Sequence, residues 1–462
     1  MAAEGYSDME TEENKSSGKI KRKATKSGLK TVYVPGVSRQ LKEGEELVYD
    51  AEAYKVFHQF ETAHPCLSLD IVLDQLGDHR ESYPLSCSLA AGTQAERSRD
   101  NAILHITLAN LHGVPSEESD ESELSDDEDA GDEASDRSRK SPTFHAVQIP
   151  HHGGINRIRS ARLGMQTVCA TWNEEGKVHI WSLTGAIRAA EAAKEIRTPN
   201  PPKMETLKDQ KPLFTFAGHR GEGFAMDWSS VKIGRFASGD VKRSIHLWHL
   251  QESGSWAVDQ RPLAAHTASV EDLQWSPNEA DLLVSCSSDG SIRLWDVRVS
   301  PTEACVRTLP ACHGGKDVNV LSWNPHEPFL LSGGDDGELK VWDFRLLLDS
   351  SECVARFKHH AGPIASVQWC PHDSTVFAAS GEDDQTTLWD LSVEPDTEEP
   401  GDQQDMQSSE SPNEERLPVP PQLLFIHQGQ KEVKELRWHP QLPGTVLTTA
   451  LDGFHLFRTI SI

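Results

Sequence analysis

Through most of the chain the apolar residues come in short alternating runs broken by turn residues, not in the three-and-four spacing of helices. From His266 the order is Val270, Leu273 and Trp275, a Ser276-Pro277 break, an apolar run over 282–286, the turn Asp289-Gly290, then Ile292, Leu294, Trp295 and Asp296. Period-two segments between turn signals predict about four antiparallel strands per unit. The order then returns: His219, His266, His313 and His360 stand 47 residues apart, and each is followed 29 residues later by Trp248, Trp295, Trp342 or Trp389. A unit of this length cannot bury its own apolar face, so neighbours must stack.

Degenerate copies extend the array. His152 to Trp181 repeats the 29-residue interval, His427 to Phe457 gives 30, and strands over 85–91 and 103–108 form a weaker first unit. Asp289, Asp336 and Asp383 each follow their histidine by 23 residues, whereas the corresponding position after His219 is Lys242. The reading is all-β: a seven-bladed propeller, closed by pairing 67–73 with the C-terminal strand 454–460 so that no sheet edge is left open. Ahead of it, Asp50 as N-cap with Ala53, Val56, Phe57 and Phe60 at helical spacing predicts an N-terminal docking helix over 49–60, lying against the side of the ring. The expected divisions are a tail over 1–40, the helical segment 41–66 and the propeller 67–462, with insertions at 115–142, 184–211 and 394–421. Within the second insertion, the Ala- and Glu-rich stretch 186–196 predicts a short helix ending at Pro201-Pro202.

The formal net charge of −27 changes this picture only once it is located. Residues 117–136 hold 12 carboxylates, and 394–415 hold 9 with no Lys or Arg; without them the charge is −6. Such runs carry too few apolar groups to offset ordering entropy and are expected to be disordered acidic loops that attract a cationic partner. Ser125, directly before Asp126, Asp127 and Glu128, sits in a setting suited to acid-directed phosphorylation. Near the start, Lys19, Lys21, Arg22, Lys23, Lys26 and Lys30 form a basic stretch that fits a nuclear import signal, or else a weak nucleic-acid contact. No apolar run approaches the roughly 18 residues of a membrane span, and no secretory signal opens the chain. The eight cysteines show neither paired nor zinc spacing, so the expectation is buried thiols, no disulfide and no metal.

Catalytic patterns are missing: no nucleophile elbow, no phosphate loop and no zinc-protease motif occurs. The chain reads as a binder, not an enzyme, with no cofactor, no membrane, no sequence-specific nucleic acid, and a monomeric state.

The histidine, the turn aspartate and the Trp-Asp endings Trp295-Asp296, Trp342-Asp343 and Trp389-Asp390 resemble the WD-repeat family. In that family they join a buried hydrogen-bonded network, a structural role. More specifically, segments 54–70, 91–94 with 103–108, 219–228 and 270–275, and the string Pro420-Pro421-Gln422-Leu423-Leu424-Phe425-Ile426-His427, resemble the retinoblastoma-associated, histone-binding WD-repeat chaperones. The resemblance covers about residues 41–462, and the group includes a nuclear chaperone of a newly made large-subunit ribosomal protein. It implies two binding surfaces. One is a groove between the N-terminal segment and the Pro-Pro loop, involving Phe57, Phe60, Glu414 and Glu415. The other is the top of the channel, where Glu222, Glu271 and Asn319 match positions that hold a basic tail, while Gly154 and Pro363 stand where acidic residues are expected. Implied clients are basic proteins, foremost a ribosomal protein and secondly histones, in the nucleus and nucleolus and in the cytoplasm during client import. A second function class comes from Trp295-Asp296-Val297-Arg298 and Trp342-Asp343-Phe344-Arg345, which resemble the adaptor-docking signature of cullin-type ubiquitin-ligase receptors, with Arg298 and Arg345 as docking residues.

Overall fold

The computed structural model describes residues 38, 48–114, 141–195, 204–346, 352–394 and 419–462. The basic stretch, the acidic run 117–136 with Ser125, and the second run beyond Glu394, with Glu414 and Glu415, lie outside these residues. Seven antiparallel sheets form the blades of a ring; six have four strands, and one gains a short fifth strand, Glu205–Thr206, from the second insertion. The innermost strands, in blade order, are Cys66–Val72, Ile155–Leu163, Ala225–Trp228, Val270–Trp275, Val318–Trp323, Ile364–Trp369 and Glu435–Trp438. All begin at one face of the ring, the upper face. Because strands alternate in direction, the connections between the third and fourth strands of blades 1 to 6 lie on the opposite, lower face.

Ring closure differs from the sequence expectation. Residues 54–60 are not a helix but the strand Tyr54–Phe60, which pairs antiparallel with Gly453–Thr459 and forms the outermost strand of blade 7 (Tyr54 with Thr459, Phe57 with Phe457, Phe60 with Phe454). The segment expected to make that pairing, 67–73, is instead the inner strand of blade 1. Physically, Gly453–Thr459 would otherwise present an open row of backbone donors and acceptors, and the aromatic and β-branched residues of 54–60 suit a half-buried pleat. The cap at Asp50 is real but serves only one turn, Ala51–Ala53, with Oδ1 accepting from the Glu52 N–H at 3.2 Å. The helix predicted in the second insertion forms over Thr184–Glu195, burying Ala186 and Ala190 against blades 1 and 2.

The repeating residues knit the blades internally. In blade 4 the Trp295 indole N–H donates to Ser285 Oγ (2.8 Å), Ser285 meets His266 Nε2 (2.7 Å), and His266 Nδ1 meets Asp289 (3.0 Å). Blade 5 repeats this through Trp342, Ser332, His313 and Asp336, and blade 6 through Trp389, Thr387, His360 and Asp383. Two assignments from spacing alone shift. Blade 3 does have its aspartate, Asp240, which stands at the first residue of the turn, two positions earlier than expected, and lies 2.9 Å from His219. In blade 2 the network histidine is His151, not His152: it reaches Thr171 Oγ1, which also accepts from Trp181. In blade 7 the Tyr54 hydroxyl, 2.8 Å from His427 Nδ1, stands in the carboxylate's place, and His455, whose Nδ1 is 2.9 Å from His427 Nε2, stands in that of the Ser or Thr. All eight cysteines are free thiols, six of them buried. No described helix is long and apolar enough to cross a membrane.

Candidate functional site

The channel is built from polar residues at alternate positions of the inner strands, one and three places before the closing tryptophan: Asp227, Asp272 and Gln274, Ser322, Ser366 and Gln368, Glu435 and Arg437. Each inner strand is the free edge of its sheet, so its backbone N–H groups need acceptors. The preceding blade supplies them. Asp227 accepts from Trp275 N (2.8 Å), Asp272 from Leu321 N (3.0 Å), Ser322 from Trp369 N (3.0 Å), Ser366 from Leu436 N (3.2 Å) and Gln368 from Trp438 N (2.7 Å). Glu435 accepts from Leu69 N (3.0 Å), and Ser68 and Asp70 from Ile158 N (3.1 Å) and Ser160 N (2.6 Å).

At the waist, Glu435 Oε1 holds Arg157 (2.9 Å) and Arg159 (2.6 Å), with Arg437 at 3.6 Å. This carboxyl is buried, yet the arginines hold it well below the usual carboxylate range. Burial pushes Asp227 the other way, up to about 7. The channel middle is therefore a belt of polar groups, most of them committed to backbone N–H groups or to the Glu435 ion pairs, lying between two mouths. Sequence reading alone misses it, although the signal is present as a polar residue beside each strand-ending tryptophan.

The upper mouth collects carboxylates. Glu222 is exposed and accepts from Asn156 (3.0 Å); Asn319 donates to Asp335 (2.9 Å); Glu271 lies half-buried at the start of the blade 4 inner strand. Burial raises the Glu271 carboxyl, with Asp317 and Asp272 adding to the rise while Ser269 and Arg157 oppose it. Burial also raises Asp317, reinforced by Asp335. Gly154 and Pro363 bring no side-chain charge, but their carbonyls accept from the backbone N–H groups of Glu174 (3.0 Å) and Glu382 (2.9 Å), exposed residues on neighbouring turns. Among the described residues, no Lys or Arg forms an ion pair with Glu222, Glu271, Asp317, Asp335 or Glu382.

The other predicted residues lie elsewhere. Phe57 is half-buried against Tyr49, Tyr54, His427 and His455, close to the segment that follows the Pro-Pro pair, since Phe425 meets Tyr54 edge-on at 5.2 Å. Phe60 is buried and stacks on Phe454 between blades 7 and 1. Arg298 and Arg345 lie on the lower face, largely exposed, each forked onto its own aspartate, Asp296 or Asp343. The structure thus brings Glu222, Glu271 and Asn319 to one mouth and separates them from Phe57, Phe60, Arg298 and Arg345. Both acidic insertions leave from third-to-fourth-strand connections, of blades 1 and 6, and so join the ring at the lower face.

Known proteins share both the repeats and the N-terminal segment. The family model of the WD domain, G-beta repeat, matches residues 258–296, 303–343 and 351–390, and that of the histone-binding protein RBBP4, or its counterpart in the CAF1 complex, matches 44–112. Similar proteins include the Protein HEAT STRESS TOLERANT DWD 1 of Arabidopsis thaliana, 43% identical over 93% of this chain and 92% of its own length. The Ribosome assembly protein rrb1 of Schizosaccharomyces pombe is 39% identical, and the Glutamate-rich WD repeat-containing protein 1 of Dictyostelium discoideum 38% identical, each over 94% of this chain and 85% of its own. Among solved structures, the WD40 β-propeller domain of Doa1 superposes with a TM-score of 0.53 at 13% identity, covering 88% of this chain and 96% of that one, a likeness of fold alone.

Proposed function

This chain belongs to the glutamate-rich WD-repeat protein family, and from that premise we propose that it is a non-enzymatic nuclear and nucleolar chaperone for basic proteins, working in ribosome assembly. Its foremost client is a newly made large-subunit ribosomal protein, and histones are a second. The observation that carries the reading is the upper mouth, where Glu271 and Asp317 are raised by burial and by neighbouring carboxylates with no cation paired to them. Carboxylates held together in this way gain when a Lys or Arg arrives, because one cation relieves the repulsion of several. A basic tail laid across the rim would meet Glu222, Glu271, Asp317 and the Asp335–Asn319 pair in turn. The relative named for ribosome assembly favours a ribosomal client, and the match to the histone-binding model at 44–112 favours histones as the second.

The chemical purpose is neutralisation. A free client dense in Lys and Arg binds RNA through counterion release, and carboxylates compete with phosphate for those side chains while leaving them exchangeable. The acidic runs extend this action to the body of a large client, and phosphate on Ser125 would add about 1.5 to 2 negative charges there. The groove beside Phe57, with Glu414 and Glu415 nearby in sequence, is a further contact for a client helix. Purification from cells at moderate ionic strength tests the reading: stoichiometric ribosomal protein or histone supports it, and companions that are neutral or anionic overturn it.

The adaptor reading is separate. Arg298 and Arg345 are exposed on the lower face of blades 4 and 5, so a ligase adaptor would dock away from the upper mouth. Recovery of an adaptor by the wild type and not by Arg298→Ala with Arg345→Ala supports it; equal recovery removes it.

A further inference from the structure

The lower mouth carries the opposite electrostatic defect from the upper one. A cavity of about 240 Å³ opens there between blades 6, 7, 1 and 2. Its walls are mixed: Ile71, Leu73, Pro371, Trp438 and Pro440 give an apolar side, and Asp70, Arg162, Gln368 and Arg437 a polar one. Arg437 is short of partners. Its Nε has no hydrogen bond among the described residues, and its nearest carboxylates, Asp70 and Glu435, stand at 3.7 and 3.6 Å, outside hydrogen-bond distance. Neither can move closer without loss. Asp70 Oδ2 is held by the Ser160 N–H and hydroxyl at 2.6 and 3.0 Å, and Glu435 is shared with Arg157 and Arg159. Burial and the charge of Arg159 both make the Arg437 cation less favourable where it stands. Its two carboxylates are within ion-pair range, yet the Nε donor is left without an acceptor.

The rim adds a second requirement. Leu73 is 46% exposed, Leu76 on the same turn 65%, and Met165, on the hairpin that supplies Arg162 to the cavity, is fully exposed. We propose that the lower mouth is a docking site for an extended partner peptide that sets a carboxylate beside an aliphatic side chain. The carboxylate completes Arg437, with the exposed Arg162 guanidinium at the entrance, and the aliphatic group packs on Leu73 and Pro440. This site opens on the face opposite the basic-client surface, with Arg437 reaching it from the Glu435 belt.

The test uses the full-length protein at physiological salt, where the Debye length of about 8 Å suppresses long-range repulsion by the acidic chain. The probe is a capped, fluorescent peptide, Ser-Asp-Glu-Leu-Asp-Glu-Ser, read by anisotropy against its Leu-to-Gly version. Expected are saturable binding of the leucine peptide, and a loss of at least about tenfold on Arg437→Gln, the scale of one charged hydrogen bond. Because Arg437→Gln could also loosen the ring, Leu73→Asp, an exposed rim change with an unchanged melting temperature, should produce a similar loss. Equal binding of both peptides, or binding indifferent to Leu73→Asp, overturns the proposal. So does binding that appears only after deletion of 117–136, since this chain's own acidic run, anchored on the same face, would then be the occupant.

Discussion

The two mouths of the channel are made by the same seven strands, yet they are electrically opposite. At the upper mouth carboxylates crowd one another with no paired cation, and at the lower mouth a guanidinium keeps one donor without an acceptor. Between them most of the belt is committed to the fold's own contacts. The contrast separates what the fold demands from what it leaves free: the inner strands need acceptors along their length, so Asp227, Asp272, Gln274, Ser366, Gln368 and Glu435 are committed to backbone N–H groups or to the arginines. Only the strand ends are released from that duty. Charge that the fold does not use is where a ligand is expected.

The sharpest way to break the contrast is to remove the belt that lies between the mouths. Glu435→Gln leaves the buried Arg159 and the half-buried Arg157 and Arg437 without their shared counter-charge and is expected to cost about 3–5 kcal/mol, seen as a large fall in melting temperature with ligand binding lost at both mouths. A melting temperature close to wild type would mean that the belt does not separate them. Acid acts on both mouths through ring closure. Burial lowers His427 to about 3, with His455 adding to the fall, and lowers His455 to about 4, opposed only in part by Asp452. Because these folded-state values lie below the ordinary 6.5, the unfolded chain takes up the protons first. Stability is then full above pH 6.5 and falls toward pH 4, by up to about 1.4 kcal/mol per unit for each group. Hydrogen exchange should therefore quicken in 54–60 and 453–459 at pH 5 before it does in blades 4 to 6; simultaneous opening would refute this.

At the upper mouth alone, Glu271→Gln with Asp317→Asn should weaken a Lys-rich peptide roughly 10- to 100-fold, the scale of one or two charge-assisted contacts. The wild type should release protons on binding that peptide near pH 5, because a bound cation lowers carboxyls that the empty site holds raised; calorimetry in buffers of different ionisation enthalpy reads this directly. The smallest effect separates loops from rim. Deleting 117–136 should leave the short peptide within about twofold, since the run joins the opposite face, while flattening the salt dependence of a whole ribosomal client. An equal loss for both would show that the run reaches the upper mouth.

Much of this is legible without any coordinate. The histidine–tryptophan interval marks the blades because a buried indole and imidazole must be satisfied at a fixed depth in each sheet, and Ser285, Ser332 and Thr387 supply the link. Glu222, Glu271 and Asn319 are placed on one rim by family likeness alone. What local pattern fails to resolve is 54–60. Val56 and Phe60 satisfy a helical spacing while Tyr54 and Val56 satisfy a strand, and the deciding factor, an unpaired edge at 453–459, lies nearly the whole chain away. Asp317, Asp335, Glu174 and Glu382 carry no local signal because they become rim residues only when turns of separate blades are brought together. Arg437 looks in sequence like one more surface cation, and only the ring reveals how crowded its counter-charges are.

The strand Tyr54–Phe60 finds its partner in Gly453–Thr459. A ribosome making this protein therefore releases the first piece of the clasp long before the second. Throughout elongation the growing chain has an exposed edge that nothing downstream can yet cover, and the circle locks only as the final strand emerges. A chain cut short before 453 would keep many of its blades and still leave that edge unpaired, able to pair with strangers.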